Sequence, residues 1–273
     1  MKYSKLVFLS AGMALCTFAN AYDYTVSTTT NGTEYGFHQG KKGAPLVITI
    51  TTDIKESMTD VYSPVGGILA DKGYSVASID VTCHGKDQQK KEKYGLDCWR
   101  SRADRSDKNI FNGYIDGLKA VIADISARHE ADRSGITVLG VSRGGYLAMK
   151  AAAEIPEIAS VVALAPVTDV FRLREFDGSK ASKSLYSLEP YYPVLAKKHI
   201  FIQINNNDDR VGTENAIALI AGVTKAGNPK AVDLTAIITP RRSHSTSEHQ
   251  AAADWVLKQK DQQAQEAQMS APK

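Results

Sequence analysis

From Pro45 to Leu257 the chain alternates short apolar runs with longer amphipathic stretches. Runs rich in Val, Ile and Leu, bounded by Gly, Asp or Asn, read as strands buried on both faces. Apolar positions recurring three and four apart read as helices. The pattern predicts strands at Leu46–Thr51, Ser75–Asp80, Ile136–Gly140, Val161–Ala165, Ile200–Ile204 and Leu234–Thr239. Helices fall between them, near Val65–Lys72, Ile110–His129, Gly144–Glu154, Glu214–Lys225 and Ser247–Gln259. Ahead of this series, Thr and Tyr flank Asn31-Gly32 between Tyr24 and His38, which predicts an antiparallel hairpin closed by a two-residue turn. Asn31-Gly32-Thr33 is also a glycosylation acceptor triplet, although the turn alone accounts for it. Strand–helix alternation predicts an α/β fold: a three-layer α/β/α sandwich around a doubly wound, mostly parallel sheet with right-handed crossovers and an N-terminal antiparallel hairpin.

Two segments break the alternation. Residues 171–198 are charged and serine-rich, then rich in Tyr and Pro, and read as an inserted lid or helical excursion. Residues 260–273 are mostly Gln, Ala and Lys with nothing to bury, and read as a disordered tail. The remainder, residues 22–259, forms one expected domain.

With 273 residues, 43% hydrophobic and 23% charged, the composition excludes a disordered chain, a collagen and a multi-span membrane protein. The formal charge of +3 is scattered rather than gathered into a stripe, so no nucleic-acid partner is expected. Lys2 and Lys5 precede an apolar stretch, Leu6–Phe18, and the small residues of Ala19-Asn20-Ala21 follow. This is the layout of a signal peptide over residues 1–21, with the mature chain starting at Tyr22. The stretch is shorter than the roughly 20 residues a membrane-spanning helix needs. A lipid anchor on Cys16 is disfavoured by the bulky Leu15 before it. The expected location is periplasmic or secreted, with no membrane attachment after cleavage. Loss of residues 1–21 removes Lys2 and Lys5 and lowers the formal charge to +1. It also leaves two cysteines, Cys83 and Cys98, which in an exported protein suggest a disulfide bond worth roughly 3 kcal/mol on the chain-entropy account. Two buried thiols are the plain alternative, and a zinc site using Cys83 and His84 ranks last because adjacent residues rarely bind one ion.

The chemistry concentrates in Ile136-Thr137-Val138-Leu139-Gly140-Val141-Ser142-Arg143-Gly144-Gly145, where a predicted strand runs through G-x-S-x-G into a helix. Alone, Gly140 could end a strand and Gly144-Gly145 could pack a helix on the sheet. The strand-to-helix context is what the nucleophile motif requires: Gly140 and Gly144 keep side chains away from a tight bend that raises the hydroxyl of Ser142. Here the chain resembles the α/β-hydrolase superfamily, in its serine-esterase, dienelactone-hydrolase-like or prolyl-oligopeptidase-like branches. The likeness runs from about Pro45 to Leu257. Asp80-Val81-Thr82-Cys83-His84-Gly85 resembles the family's D-x-P-x-H-G turn with Thr82 in the proline's place.

The resemblance implies a serine hydrolase with an acid and then a histidine downstream of Ser142. Asn205-Asn206-Asn207-Asp208-Asp209-Arg210-Val211 resembles the family's acid-bearing G-x-x-D-x-x-V turn, pointing to Asp208, with Asp209 and Asp169 as rivals. The histidine is expected in Arg241-Arg242-Ser243-His244-Ser245, hence His244; His249 falls in the last helix, while His38, His129 and His199 pack or solvate. His84 shares the sheet edge with Ser142. The implied oxyanion hole uses the backbone N–H of Arg143 and that of Thr52 or Asp53, although the family's usual His-Gly is Thr51-Thr52 here. Trp99, Arg143, Arg172, Arg174, Tyr191 and Tyr192 are expected near the mouth, with Trp99, Arg174 and Tyr191 chosen for substrate binding. Arginines there could hold a carboxylate or an acidic sugar; the plainer account packs the aromatics in a lid and pairs the arginines with Glu175, Asp177 or Asp104. The expected activity is hydrolysis of a small-molecule carboxylic ester through an acyl-enzyme, with no cofactor and no metal. A prolyl-oligopeptidase-type peptidase and a non-catalytic binding protein on the same scaffold are the alternatives.

Overall fold

The structure, a computed structural model, describes residues 22–270 apart from Asp60, His129, Glu130 and Pro229. The expected signal segment with Cys16, His129 and the last three residues of the chain lie outside the described residues. The strands are β1 (Thr25–Thr28), β2 (Glu34–His38), β3 (Pro45–Ile50), β4 (Ser75–Ser78), β5 (Asp132–Val141), β6 (Ile158–Leu164), β7 (His199–Asn205) and β8 (Leu234–Thr239). They form one sheet in the order β1-β2-β4-β3-β5-β6-β7-β8. β2 runs against both of its neighbours, and from β4 to β8 every pairing is parallel.

Alternation along the parallel strands explains the three layers. Ile48 and Ile50 of β3, Val138 of β5, Val161 and Ala163 of β6, and Ile200 and Ile202 of β7 enter one buried cluster. Val47, Leu139, Val162 and Phe201, the residues between, enter another on the opposite face. Each fully buried Val, Leu or Ile contributes roughly 1.5–3 kcal/mol, so both faces need a helical cover. The first cluster is covered by α4 (Asn112–Ala127), α5 (Arg143–Glu154) and α7 (Thr213–Ala226). The second is covered by α2 (Pro64–Asp71) and α8 (His249–Ser270). Chain order reverses direction across the sheet between β3 and β5: β4 lies on one side of β3, and everything after β5 lies on the other. The crevice at the carboxyl ends of β3 and β5 is where such sheets bind ligands.

Three features depart from the pattern-based reading, and the segment 171–198 fills it in. The hairpin connection is longer than two residues, because Thr28 pairs with Glu34. Asn31 Oδ1 accepts from Thr29, Thr33 and the Thr33 amide, so Asn31 is tied into the loop and only Gly32 takes a positive φ, 89°. Two short helices, α1 (Ile54–Ser57) and α3 (Gly95–Ala103), fall where no helix was expected. Residues 171–198 fold as short 3₁₀ turns and a small helix, α6 (Tyr192–Leu195), that bury Phe176, Tyr186, Leu188 and Leu195. Finally, α8 continues past Gln259 to Ser270, in a stretch whose Ala, Gln, Lys and Glu favour helix. Cys83 and Cys98 are joined in a disulfide with Cα atoms 6.0 Å apart, tying the turn after β4 to α3. Glu92 lies near both sulfurs, but bonded sulfurs are not thiolate ligands.

Candidate active site

β5 delivers Ser142 to the carboxyl edge of the sheet, and α5 begins at the next residue. Its backbone sits at φ 54° and ψ −114°, a sparsely populated conformation. The glycines are there for space. A Cβ on Gly140 would lie 2.1 Å from the carbonyl oxygen of Gly144, one on Gly144 would lie 1.8 Å from that of Ile50, and one on Gly145 would lie 2.5 Å from Pro166 Cβ. No side chain fits at those distances, so strand, bend and helix pack backbone to backbone and the hydroxyl points outward.

His244 and Asp208 arrive from two later loops. Nε2 of His244 lies 2.8 Å from Ser142 Oγ, and Nδ1 lies 2.9 Å from Asp208 Oδ2. A carboxylate accepts only, so Nδ1 carries the imidazole proton and Nε2 is free to accept from the serine. Asp208 is held in turn: its Oδ1 accepts from the amides of Arg210 at 3.0 Å and Val211 at 3.3 Å. The Asp208 side chain is only 2% exposed, whereas that of His244 is 27% exposed. The imidazole of His244 is therefore reachable from solvent and the carboxylate of Asp208 is sheltered.

The rival acids lie elsewhere. Asp209 is exposed, and Asp169 is exposed and caps a turn through the Phe171 amide at 2.9 Å. His249, at the start of α8, contacts the Thr246 hydroxyl at 2.9 Å. His38 and His199 lie on Asp23 O and Asp233 Oδ2 respectively.

The amide of Arg143, at the first position of α5, has no intrahelical acceptor and lies at the positive end of the helix dipole, directly after Ser142. The loop after β3 lies alongside the bend, as the contact of Gly144 with Ile50 and Thr51 requires. Within it the Thr51 and Thr52 amides are directed at Ser57 Oγ, at 3.2 and 3.4 Å. That corrects the expectation for Thr52, whose N–H the α1 serine occupies. The amide of Asp53 has no acceptor among the described residues.

The three residues chosen for substrate binding are engaged with other partners or lie at the surface. Trp99 is fully buried, donates to Thr82 O at 2.7 Å and meets Phe111 edge-on at 4.5 Å, because the disulfide at Cys98 draws α3 into the core. Tyr191 bonds Glu154 at 2.5 Å and Lys150 at 3.2 Å. Glu154 ends α5, about 16 Å along the helix from Arg143. Arg174 is 82% exposed and lies 3.6 Å from Glu175, and Arg172 faces Glu214 at 3.4 Å.

Two supporting residues carry a signal readable in the sequence. Gln203 and Asn205 interrupt the apolar run that starts at Ile200 in β7, and both are buried. Asn205 donates to Ser243 O and Ser245 O, each at 2.9 Å, gripping the loop on both sides of His244. Gln203 donates to Asn205 Oδ1 at 2.9 Å and accepts from the Ser247 amide at 3.3 Å. His84, the remaining histidine at this edge, is fully buried and contacts Thr82 O through Nδ1 at 3.0 Å and Arg143 Nη1 through Nε2 at 2.7 Å. Burial first, and the Arg143 guanidinium second, push its pKa below the ordinary 6.5. Burial also lowers the pKa of Arg143, with nearby Arg210 acting the same way.

Residues 55–270 match the family described as Serine aminopeptidase, S33. Comparison with curated proteins finds no match. Among solved structures, the Pyrococcus furiosus esterase Pf2001 superposes with a TM-score of 0.60 at 19% identity, over 86% of this chain and 89% of that one. The Pyrococcus horikoshii acylaminoacyl peptidase gives 0.65 at 12% identity, over 86% of this chain and 39% of that one. For the Porphyromonas gingivalis dipeptidyl peptidase 4 the values are 0.61 and 14%, over 88% and 36%. This chain thus spans little more than a third of either peptidase. At these identities the likeness speaks for the fold.

Proposed function

The chain belongs to the α/β-hydrolase family described as Serine aminopeptidase, S33, and from that membership we propose that it is a serine hydrolase of small carboxylic esters, exported to the periplasm or the medium. One observation carries the proposal: the unbroken line Asp208 Oδ2, His244 Nδ1, His244 Nε2, Ser142 Oγ, with contacts of 2.9 and 2.8 Å. Such a line can take the proton of Ser142 as the oxygen attacks a carbonyl, and Asp208 stabilises the imidazolium that results. The proton then passes from His244 to the leaving alcohol. Water, deprotonated by the same imidazole, attacks the acyl-serine to release the acid and restore the hydroxyl. The amides of Arg143 and Asp53 are the proposed donors to the oxyanion, worth about 2.7–4 kcal/mol for each well-placed donor. The Leu6–Phe18 stretch after Lys2 and Lys5 supports export, as does the Cys83–Cys98 disulfide, which persists in oxidising compartments.

Hydrolysis rates of purified protein on a short-chain aryl ester and on a peptide anilide test this reading. Faster ester turnover, abolished in Ser142→Ala, is expected. Cleavage of the anilide alone would assign the site to a peptidase of the prolyl-oligopeptidase type, and failure of an active-serine phosphonate to label the wild type would assign a non-catalytic role.

A further inference from the structure

Directly after the nucleophile stands a cation with no anion to balance it. Nδ1 of His84 faces Thr82 O at 3.0 Å, so that nitrogen carries the proton and Nε2 accepts from Arg143 Nη1 at 2.7 Å. The imidazole is therefore neutral and leaves the guanidinium charge uncompensated. Among the described residues no carboxylate lies within 4.0 Å of it. The nearest acids act from further away and are engaged: Glu175 with Arg210 at 2.7 Å, and Glu56 with the Thr52 hydroxyl. Arg210, two residues past Asp208, adds a second positive charge to the same edge.

The guanidinium is also held in place. A Cβ at Gly95 would lie 3.2 Å from Arg143 Nη1, and Gly95 takes a φ of 59° that lets the bare backbone sit there. His84 and Gly95 both belong to the loop clamped by the Cys83–Cys98 disulfide. One of the five N–H groups of Arg143 goes to His84, and the side chain remains partly open to solvent. Partly burying a guanidinium without a close counter-charge is costly, and Glu175 and Glu56, each engaged elsewhere, offset it only from a distance.

We propose that Arg143 is a specificity-determining residue for a carboxylate carried by the ester substrate, gripping it with the guanidinium fork while His84 and Gly95 hold that fork beside Ser142. The proposal rests on the ester-hydrolase reading and names its substrate class: half-esters, with the carboxylate on the acyl side or on the leaving side.

Two isosteric pairs test it. Monoethyl succinate against ethyl succinamate places the charge on the acyl side, and 4-acetoxybenzoate against 4-acetoxybenzamide places it on the leaving side. Products are quantified by chromatography. The wild type is expected to favour the carboxylate member of one pair by about ten- to a hundredfold in kcat/KM, and the pair that responds identifies the side. Arg143→Gln should collapse that ratio to one or below, with Arg143→Lys between. Because the Arg143 amide serves the oxyanion, the ratio within a pair, rather than either rate, is the readout. Equal turnover of both members in both pairs, or a preference that survives Arg143→Gln, overturns the carboxylate subsite and leaves the hydrolase reading intact. No turnover of any of the four, with Ser142 inert to phosphonate, overturns both.

Discussion

Two imidazoles flank the nucleophile bend, and their partners differ in charge. His244 places Nδ1 on the Asp208 carboxylate and Nε2 on Ser142. His84 places Nδ1 on a carbonyl and Nε2 on the Arg143 guanidinium. At the same sheet edge, one ring joins a carboxylate to the serine hydroxyl and the other is a fixed acceptor for a guanidinium. A place at the sheet edge thus does not by itself distinguish the two histidines; the partners of each ring do.

The largest expected effect separates the two rings. Ser142→Ala and His244→Ala should each lower ester kcat by at least about 10⁴-fold with unchanged circular dichroism, whereas His84→Gln should cost far less. Next comes the group behind the base: Asp208→Asn should lower kcat by about 10²–10⁴-fold, and Asp209→Asn, whose side chain is exposed, should leave it near wild type. A loss shared equally by the two aspartates would break the assignment. Reducing the Cys83–Cys98 disulfide, 15 residues apart in sequence, should remove roughly 3 kcal/mol and lower Tm by about 6–12 °C, and should also loosen the His84 side more than the His244 side.

A smaller effect follows from the depressed pKa of His84. Below 6.5 the unfolded ring takes a proton that the folded ring refuses, so stability is full above that value and falls as pH drops toward the lower folded value. His84→Gln should make the acid fall of Tm shallower without abolishing it, because burial lowers the pKa of His249 in the same direction. A steeper fall in the variant would contradict the neutral assignment. Smallest of all, His249→Ala should keep kcat within about threefold, since its ring meets only Thr246 among the hydrogen-bonding groups described.

What could be read in advance follows the same division. The parallel strands announce themselves because burial of their central positions calls for runs dominated by Val, Ile, Leu and Ala, and β8 runs as expected over Leu234–Thr239. Ser142, Asp208 and His244, singled out from the sequence, are the side chains that the structure joins in one line of hydrogen bonds. The bend demands glycines at fixed spacing, and the acid and base follow it in known order after later strands. The His84 side was not legible. Its segment from Gly85 to Arg105 is dominated by charged residues, so neither the helix Gly95–Ala103 nor the burial of Trp99 shows in any periodicity. Both depend on a disulfide whose pairing brings Cys98 to the turn after β4. Trp99 and Tyr191 lie in segments expected near the mouth, yet a buried carbonyl and the Lys150–Glu154 pair satisfy their polar atoms. The engagement of the Thr52 amide likewise depends on Ser57, which the short helix α1 turns back onto it.

The most direct test of the central claim is mass spectrometry of the protein after reaction with an active-serine phosphonate, run in parallel on wild type, His244→Ala and His84→Gln. The account predicts one adduct on Ser142 in the wild type and in His84→Gln, and none in His244→Ala on the same time scale. An adduct on another residue, or equal labelling of Ser142 with and without the His244 imidazole, would contradict it.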